Sequence, residues 1–178
     1  MNCGKVVIPK LPSLSIIPCK TSNTVGSGGA SSITFSSIPS TYTDLLLKIS
    51  TRTNRSAVTD GLEIRLNGAT TNHSGRRLTG DGSAAASSVS VYGNTDGNTA
   101  TASTFGNAEV YIPNYAGSNY KSFSMDTVSE NNATANGMTL NANLWSQTTA
   151  VSSIEIFMSD GTLFNQYSTF YLYGIKNS

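Results

Sequence analysis

The side chains that could perform catalysis are few and far apart. His73 is the only histidine among the 178 residues, so a histidine metal cluster or a Ser-His-Asp triad lacks its parts. Ser74 follows directly and is too close in sequence to suggest a nucleophile paired with that imidazole. We therefore expect His73 to be a solvated residue in the loop-like segment 69–83.

The carboxylates do not form a catalytic or metal-binding pattern either. Glycoside hydrolysis needs two facing carboxyl groups, whereas Glu63, Glu109 and Glu155 are widely separated and fall on outward positions of predicted strands. Asp81 and Asp96 are close to glycines, but neither segment has the ligand density of a calcium loop. The sequence predicts no catalytic residue, no metal site, no cofactor and therefore no enzyme.

Binding residues are a second possibility. Tyr115, Tyr120 and Trp145 could form a platform for stacking a sugar, because aromatic side chains combine apolar area with a polar group. A position in the core or in a subunit interface is the interpretation that we prefer for them. Arg76 and Arg77 are the one adjacent basic pair; they could contact an acidic partner, but a solvated pair is the simpler expectation.

The composition excludes several classes of partner. Charged residues make up 12% of the chain and the formal net charge is +1, against roughly 25% charged residues in an ordinary domain. Such a surface offers no electrostatic footprint for nucleic acid or for an anionic membrane. No apolar run approaches the roughly 20 residues of a membrane span. A surface solvated by hydroxyl and amide groups can pack closely against copies of itself, which suits a dense assembly.

The N-terminal segment resembles an attachment arm. Prolines interrupt it too often for a helix or for the apolar core of a signal peptide, so we expect synthesis in the cytoplasm without secretion. The cysteines, Cys3 and Cys19, are expected to be free thiols. Residues 22–32 are rich in Gly and Ser and resemble a flexible linker. The arm either binds a neighbouring subunit, which we favour, or wraps its own domain; its apolar residues are Val6, Val7, Ile8, Leu11, Leu14, Ile16 and Ile17.

Residues 31–178 read as a β-sandwich domain that follows the arm and hinge of residues 1–30. Apolar and polar residues alternate in short segments, as in half-buried strands. Leu45, Leu47 and Ile49 share one face of such a segment, with Lys48 and Arg52 on the polar face. Further strands are marked by alternating apolar residues: Ile33 and Phe35; Leu62, Ile64 and Leu66; Val89 and Val91; Ala108, Val110 and Ile112; Phe123 and Met125; Met138, Leu140, Ala142 and Leu144; Ile154, Ile156 and Met158; Phe170 and Leu172.

This spacing of strands predicts the fold class. Short strands separated by Gly, Asn and Asp turns, with no helical period, indicate an all-β chain with an antiparallel β-sandwich of eight or nine strands. At that number a jelly roll is the expected topology. Residues 69–83 and 93–104 are predicted to be polar loops.

A family resemblance adds a function. The phrases ITFSSIPSTYTDLLLKISTR (33–52), VYIPNYAGSNYKSF (110–123) and LYGIKNS (172–178), with the lone Trp145, resemble small virion structural proteins of tailed bacteriophages. These include head-decoration and tail-fibre proteins, among them those of cyanophages. The likeness spans about residues 33–178 and leaves the arm unmatched.

The resemblance implies self-assembly, commonly as a homotrimer, and attachment to the major capsid protein or another virion protein. The leading expectation is a capsid decoration (cement) protein located in the virion, because no fibrous shaft is present. The alternative is a host-recognition module of a tail fibre or spike that binds bacterial surface glycan through residues 69–83 and 93–104. The family has no catalytic residues to transfer.

Overall fold

The computed structural model describes residues 15–130, 132 and 137–176. These residues form strands and connections, and no helix among them is long and apolar enough to cross a membrane. The twelve strands are β1 (Ser15–Thr24), β2 (Ser32–Phe35), β3 (Asp44–Thr51), β4 (Thr59–Leu66), β5 (His73–Gly80), β6 (Ala85–Ser88), β7 (Gly93–Asp96), β8 (Gly106–Ile112), β9 (Lys121–Ser129), β10 (Gly137–Trp145), β11 (Ile154–Met158) and β12 (Thr169–Lys176).

The strands form two antiparallel sheets whose order contains a jelly roll. The large sheet has the order β1-β12-β3-β8-β9-β10-β5-β6, and the small sheet has the order β2-β11-β4-β7. The first four strands of the large sheet, β1-β12-β3-β8, and the small sheet have the strand orders of the two facing sheets of a jelly roll. The four strands that remain are two insertions, β5–β6 between β4 and β7 and β9–β10 between β8 and β11. The predicted sandwich is confirmed, and the insertions bring its eight jelly-roll strands to twelve.

The core lies between the two sheets, where the apolar faces of β3, β8, β11 and β12 point inward. Leu47 at the centre of β3 is opposite Val110 on β8 and Leu172 on β12. Leu66 and Ile154 are paired on the small sheet and all five side chains are buried. A one-residue slip of β3 would turn its leucines out of this core, so apolar burial fixes the register.

Part of the predicted arm is the first strand of the jelly roll. The β1 backbone pairs with β12 along its length, with Ile16 opposite Ile175 and a register shift between Ile17 and Thr21. For residues 15–24, the pairing of β1 with β12 matches the alternative in which the arm lies on its own domain. The predicted linker, residues 22–32, is tied to the domain, since Val25 N–H donates to Ser168 O at 2.9 Å and Ala30 N–H to Phe164 O at 3.1 Å. The other arm residues, Val6, Val7, Ile8, Leu11 and Leu14, and also Cys3 lie outside the described residues.

Two predicted loops contain strands. Residues 69–83 include β5, and residues 93–104 begin with β7. The strand expected around Val89 and Val91 is instead the connection from β6 to β7, with Val89 exposed. These strands were missed because they carry Gly, Ser, Thr and Arg rather than the β-branched and aromatic residues that favour strands.

Arg52 is the other correction, because it is buried rather than on the solvated face. The alternation of β3 ends at Thr51, and Arg52 follows with 8% of its surface exposed. Its Nη1 donates to the carbonyl oxygens of Thr101 (2.8 Å) and Thr104 (3.0 Å), and its Nη2 to those of Asn98 (3.1 Å) and Ala100 (2.8 Å). One guanidinium group thus holds the connection between β7 and β8.

Candidate functional sites: an exposed sheet face and an edge cavity

Strand β10 is inverted relative to an ordinary sandwich strand. Its polar side chains Thr139, Asn141 and Asn143 are buried, while Met138 and Leu140 are exposed. β7, with the polar sequence GNTD, packs across the inner side of β9 and β10. The inner side of β10 is therefore polar at Thr139, Asn141 and Asn143, and Met138 and Leu140, which marked this strand in the sequence, face outward.

A chain of hydrogen bonds satisfies most of this polar interior. The Asn94 N–H donates to Thr127 Oγ1 at 2.9 Å, and that hydroxyl is 2.7 Å from Thr139 Oγ1. Thr139 in turn donates to Asn141 Oδ1 at 3.0 Å, and Asn141 Nδ2 donates to the Tyr92 carbonyl oxygen at 3.1 Å. Buried polar groups are tolerated when they are paired in this way. These hydrogen bonds thus stabilise the orientation of β10 in which its polar face is buried.

The apolar surface on the other side of the insertion is the first candidate site, and we call it the outer face. Leu140 is opposite Leu78 on β5, and Met138 is opposite Val128 on β9. All four side chains are at least one-third exposed. Ala142 continues the row toward a shallow groove of about 410 Å³. Contiguous apolar patches of this kind are typical of protein–protein contacts.

Two opposite charges border the outer face. Arg76 lies on β5 opposite Ala142, and Asp126 lies on β9 opposite Leu140, so they flank β10 on its two sides. Both are exposed. Among the described residues no ion pair is formed by either one. A partner surface with both signs of charge, such as a second copy, would complement this border.

The second candidate site is a cavity of about 140 Å³ at the open edge of β4, which we call the edge cavity. The ladder between β4 and β7 ends at the Leu62–Gly93 pair, so the following residues of β4 border the cavity. Exposed Thr70 and Ser74 lie at its mouth, and buried Phe123 and Asn143 lie at its inner end. It lies between the small sheet and the inserted strands.

Several polar atoms beneath and beside this cavity are closed to solvent and lack a hydrogen-bond partner within the described chain. Asn143 is 4% exposed, and both its Oδ1 and its Nδ2 are unpaired. His73 Nε2 and Trp145 Nε1 are also unpaired, and the two rings stack at 6.3 Å between centroids with 18° between planes. Such groups are unusual in a folded protein and call for an explanation, such as a bound ligand or water.

Three ionisable side chains line the edge cavity: Glu63, Arg65 and His73. Burial lowers the pKa of His73, and a hydrogen bond to the Ala69 backbone opposes this shift only in part. Burial also raises the pKa of Glu63. The Arg65 guanidinium is already engaged, since its Nη1 is 2.9 Å from Glu155 Oε2 and its Cζ is 4.3 Å from the Phe157 ring centroid. The lining therefore combines the Glu63 carboxyl group, an arginine that is already paired with Glu155, and a histidine whose pKa is lowered.

The residues singled out from the sequence are not brought together. Tyr115 is fully buried and its hydroxyl donates to the Pro39 carbonyl oxygen. Trp145 is buried at the end of β10, whereas Tyr120 is 60% exposed. The three aromatics therefore do not form an exposed stacking platform, and two of them occupy the core positions that we preferred.

His73 and the arginine pair also differ from expectation. His73 begins β5 and is half-buried rather than solvated. Arg76 and Arg77 point to opposite sides of the same strand, and the Arg77 guanidinium lies 4.8 Å from the Tyr92 ring centroid on the inner side. They form no continuous basic patch. Asn143 could not be recognised from the sequence, because an asparagine that alternates with leucines is expected to face solvent.

The carboxylates have structural partners. Glu109 pairs with Lys48, and Glu155 with Arg65. Asp96, placed in a loop by the sequence, is buried and accepts a hydrogen bond from Ser129 Oγ. In the described part of the chain no three His, Cys, Asp or Glu side chains are grouped to hold a metal ion.

Comparison with known proteins adds no assignment to this geometry. No protein-family model matches the sequence, and no curated protein matches it significantly. The outer face and the edge cavity are therefore the two features from which a function can be inferred.

Proposed function

We propose that this protein is a structural subunit of a tailed-bacteriophage virion, a capsid decoration (cement) protein that stabilises the head by binding the major capsid lattice. The observation that supports an assembly role is the outer face: the inserted strands present leucine and methionine to solvent and threonine and asparagine to the interior. The phage setting comes from the sequence resemblance.

The outer face is best covered by another copy of the chain. Complete burial of a half-exposed leucine contributes about 1 kcal/mol, at about 25 cal/mol per Å² of apolar surface. A second copy supplies both an apolar surface and the two charges that Arg76 and Asp126 require. In the homotrimer that the resemblance implies, each copy covers the outer face of its neighbour.

Attachment to the capsid is assigned to the residues that precede β1. Contacts made only in the assembled lattice stabilise it by mass action, and trimerisation multiplies the number of arms on one particle. A deletion that stops at residue 14 keeps all the described residues of β1 (Ser15–Thr24).

The experiment has two parts. Light scattering after size exclusion measures the mass of the wild type and of Leu140→Lys, with Leu163→Lys as the control because Leu163 is also partly exposed but lies outside the inserted strands. We expect trimers for the wild type and the control and monomers for Leu140→Lys. A monomeric wild type, or a trimeric Leu140→Lys, would overturn the role of the outer face.

The second part measures capsid binding. The wild type and a deletion of residues 1–14 are added to phage heads that lack the protein, and bound protein is located by electron microscopy. We expect saturable binding at regular lattice positions that the deletion abolishes. Absence of wild-type binding to heads would contradict the decoration function, and equal binding by the deletion would contradict the role of the arm.

A second candidate function, recognition of a bacterial surface glycan, is favoured by the edge cavity. The cavity borders residues 69–83, which the sequence singled out for this role, and the exposed residues Thr70 and Ser74 supply hydroxyl groups at its lining. Saturable binding of the purified protein to host cells, without binding to heads, would favour this candidate over the first.

A further inference from the structure

We propose that β6 is a second contact site between copies of this protein, in which its open edge pairs with β6 of another copy. The two strands are antiparallel and related by a two-fold axis at Ser87. This contact goes beyond the trimer of the proposed function, because it joins one trimer to the next. The pairing itself depends neither on the outer face nor on the phage setting; only its role in linking trimers rests on the proposed function.

Strand β6 is the last strand of the large sheet, and among the described residues it is paired on one side only, with β5. Its residues Ala85–Ser88 are all exposed. Strand edges are often protected from other chains by charge, by proline or by a bulge. At the opposite edge of the same sheet, β1 contains Pro18 and shifts its register between Ile17 and Thr21. The β6 sequence AASS has neither a charge nor a proline, so this edge is open to another strand.

Two backbone hydrogen bonds show which residues of this edge point away from the sheet. Before β6, the Asp81 N–H donates to the Ala84 carbonyl oxygen at 3.3 Å. After β6, the Ser90 N–H donates to the Gly75 carbonyl oxygen at 3.3 Å. Residues of an antiparallel pair alternate between positions that bond to the neighbouring strand and positions that do not. The even-numbered residues from 84 to 90 therefore bond to β5, and the odd-numbered residues between them face the open edge.

Ala85, Ser87 and Val89 thus direct their N–H and carbonyl groups to the open edge, where nothing in the described chain bonds to them. They are evenly spaced about Ser87, so the edge is complementary to itself. With a two-fold axis at Ser87, this residue faces its own equivalent, and Ala85 of each copy faces Val89 of the other. Each of these three facing pairs exchanges two hydrogen bonds. No other antiparallel register of these residues forms as many.

The side chains along the edge also favour a second copy. Val89 is 77% exposed, the highest fraction of any large apolar side chain in the described part of the chain. In the paired arrangement it lies beside Ala85 of the other copy. All four residues of β6 are uncharged, so no like charges oppose each other across the axis. Ser87 is opposite Leu78 and lines the groove of the outer face, so the pairing places the outer faces of two copies side by side.

The pairing of one short strand is weak between two separate molecules, because association costs translational and rotational freedom. It becomes stronger in an assembly, where each trimer presents three β6 edges and binding through one edge raises the effective concentration of the others. Two-fold contacts between three-fold particles extend into a net. Such a net is suited to covering the surface of a capsid.

Disulfide trapping of the full chain tests both the contact and its register. Facing residues that exchange hydrogen bonds have Cα atoms about 5.5 Å apart, within the range of about 4.4–6.8 Å that a disulfide spans. We expect Ser87→Cys to form a cross-linked dimer by itself. Ala85→Cys and Val89→Cys should each link poorly alone, because equivalent residues then lie about 13 Å apart along the strands. A mixture of these two variants should link at least tenfold faster than either one alone.

The controls use the native cysteines and a matched pair of variants. The wild type, with Cys3 and Cys19, is the blank, and peptide mass spectrometry assigns each link to its residues. Ser87→Pro in both members of the mixture removes the central N–H donors and should slow the link at least fivefold, whereas Ser87→Ala should not. Ser87→Cys that links no faster than Ala85→Cys alone, or a mixture no faster than its single variants, would overturn the pairing. If Ser87→Pro does not fold, the comparison of the mixture with its single variants decides.

Phage heads separate this contact from the proposed function. Links between Ser87→Cys copies in solution, without binding to heads, would support the edge contact and contradict the decoration function. Binding to heads on which Ser87→Cys forms no links would support the decoration function and reject the edge contact.

Discussion

Leu78 on β5 and Leu140 on β10 are directly opposed across the sheet, and 47% and 45% of their surfaces are exposed on the outer face. An apolar cross-strand pair is ordinarily directed to the core. Here the register of β10 is fixed by its buried polar face, so the leucines are available to a partner.

The charges at the border of the outer face give the first prediction. Arg76→Glu should weaken self-association by about tenfold, because it adds a like charge beside the Asp126 of another copy. Asp126→Arg should do the same, and the double variant should recover most of the loss. Sedimentation equilibrium at low and high salt measures these effects; a double variant no better than either single variant would contradict pairing between copies.

The guanidinium of Arg52 gives the second prediction, which concerns stability. Arg52→Met should lower the free energy of unfolding by about 2–4 kcal/mol, since four carbonyl oxygens between β7 and β8 lose a buried charged donor. Arg52→Lys keeps the charge without the planar group and should cost about half as much. Urea unfolding followed by tryptophan fluorescence measures both. A loss below about 0.5 kcal/mol for Arg52→Met would place it with ordinary surface substitutions.

The sequence predicts most of the jelly-roll strands, but not β1 and β7, because the burial of the predicted ones follows simple alternation. In β3 and β8 the apolar residues face a large apolar core, so local pattern and tertiary packing agree. Proline after Ile112 and the Asp160–Gly161 turn mark strand ends equally well. The sandwich and its topology follow from such residues.

Strand β5 of the first insertion and strand β7 of the jelly roll could not be predicted in the same way. β5 and β7 bury glycine, threonine and aspartate against other polar groups, and their stability depends on partners far away in the sequence. In β10 alternation identifies the strand but cannot say which face is inside, because both sides of the pattern have period two. Asn143 and the edge cavity depend on that choice, so neither was visible in the sequence.

Asp81 gives a prediction about pH. Its Oδ1 accepts hydrogen bonds from the Ser83 N–H (2.9 Å), the Ser83 hydroxyl (2.8 Å) and the Ala84 N–H (2.8 Å) in the turn between β5 and β6. The backbone bond from Ala84 is the largest cause that lowers its pKa to about 2. Because the folded pKa lies below the ordinary value of 3.8, this contribution to stability is present above pH 3.8 and is lost as the pH falls toward about 2.

NMR titration of the Asp81 carboxyl carbon should give a midpoint near that value, with the Ala84 amide signal following it. Asp81→Asn keeps an acceptor oxygen without the charge and should remove the titration of the Ala84 amide while the turn remains. A midpoint near 3.8 would show that these bonds do not favour the ionised carboxylate.

His73 gives the last prediction. Burial is the main cause that lowers its pKa, so the ring should titrate below 6.5 in an NMR experiment on the folded chain. The unfolded chain then binds more protons between the two pKa values, and the free energy of unfolding should fall as the pH drops from 6.5 through the folded pKa. His73→Gln should flatten this part of the stability profile, whereas Arg76→Gln, three residues further along β5 and exposed, should not. A stability profile that His73→Gln leaves unchanged would show that protonation of this ring does not contribute to the pH dependence.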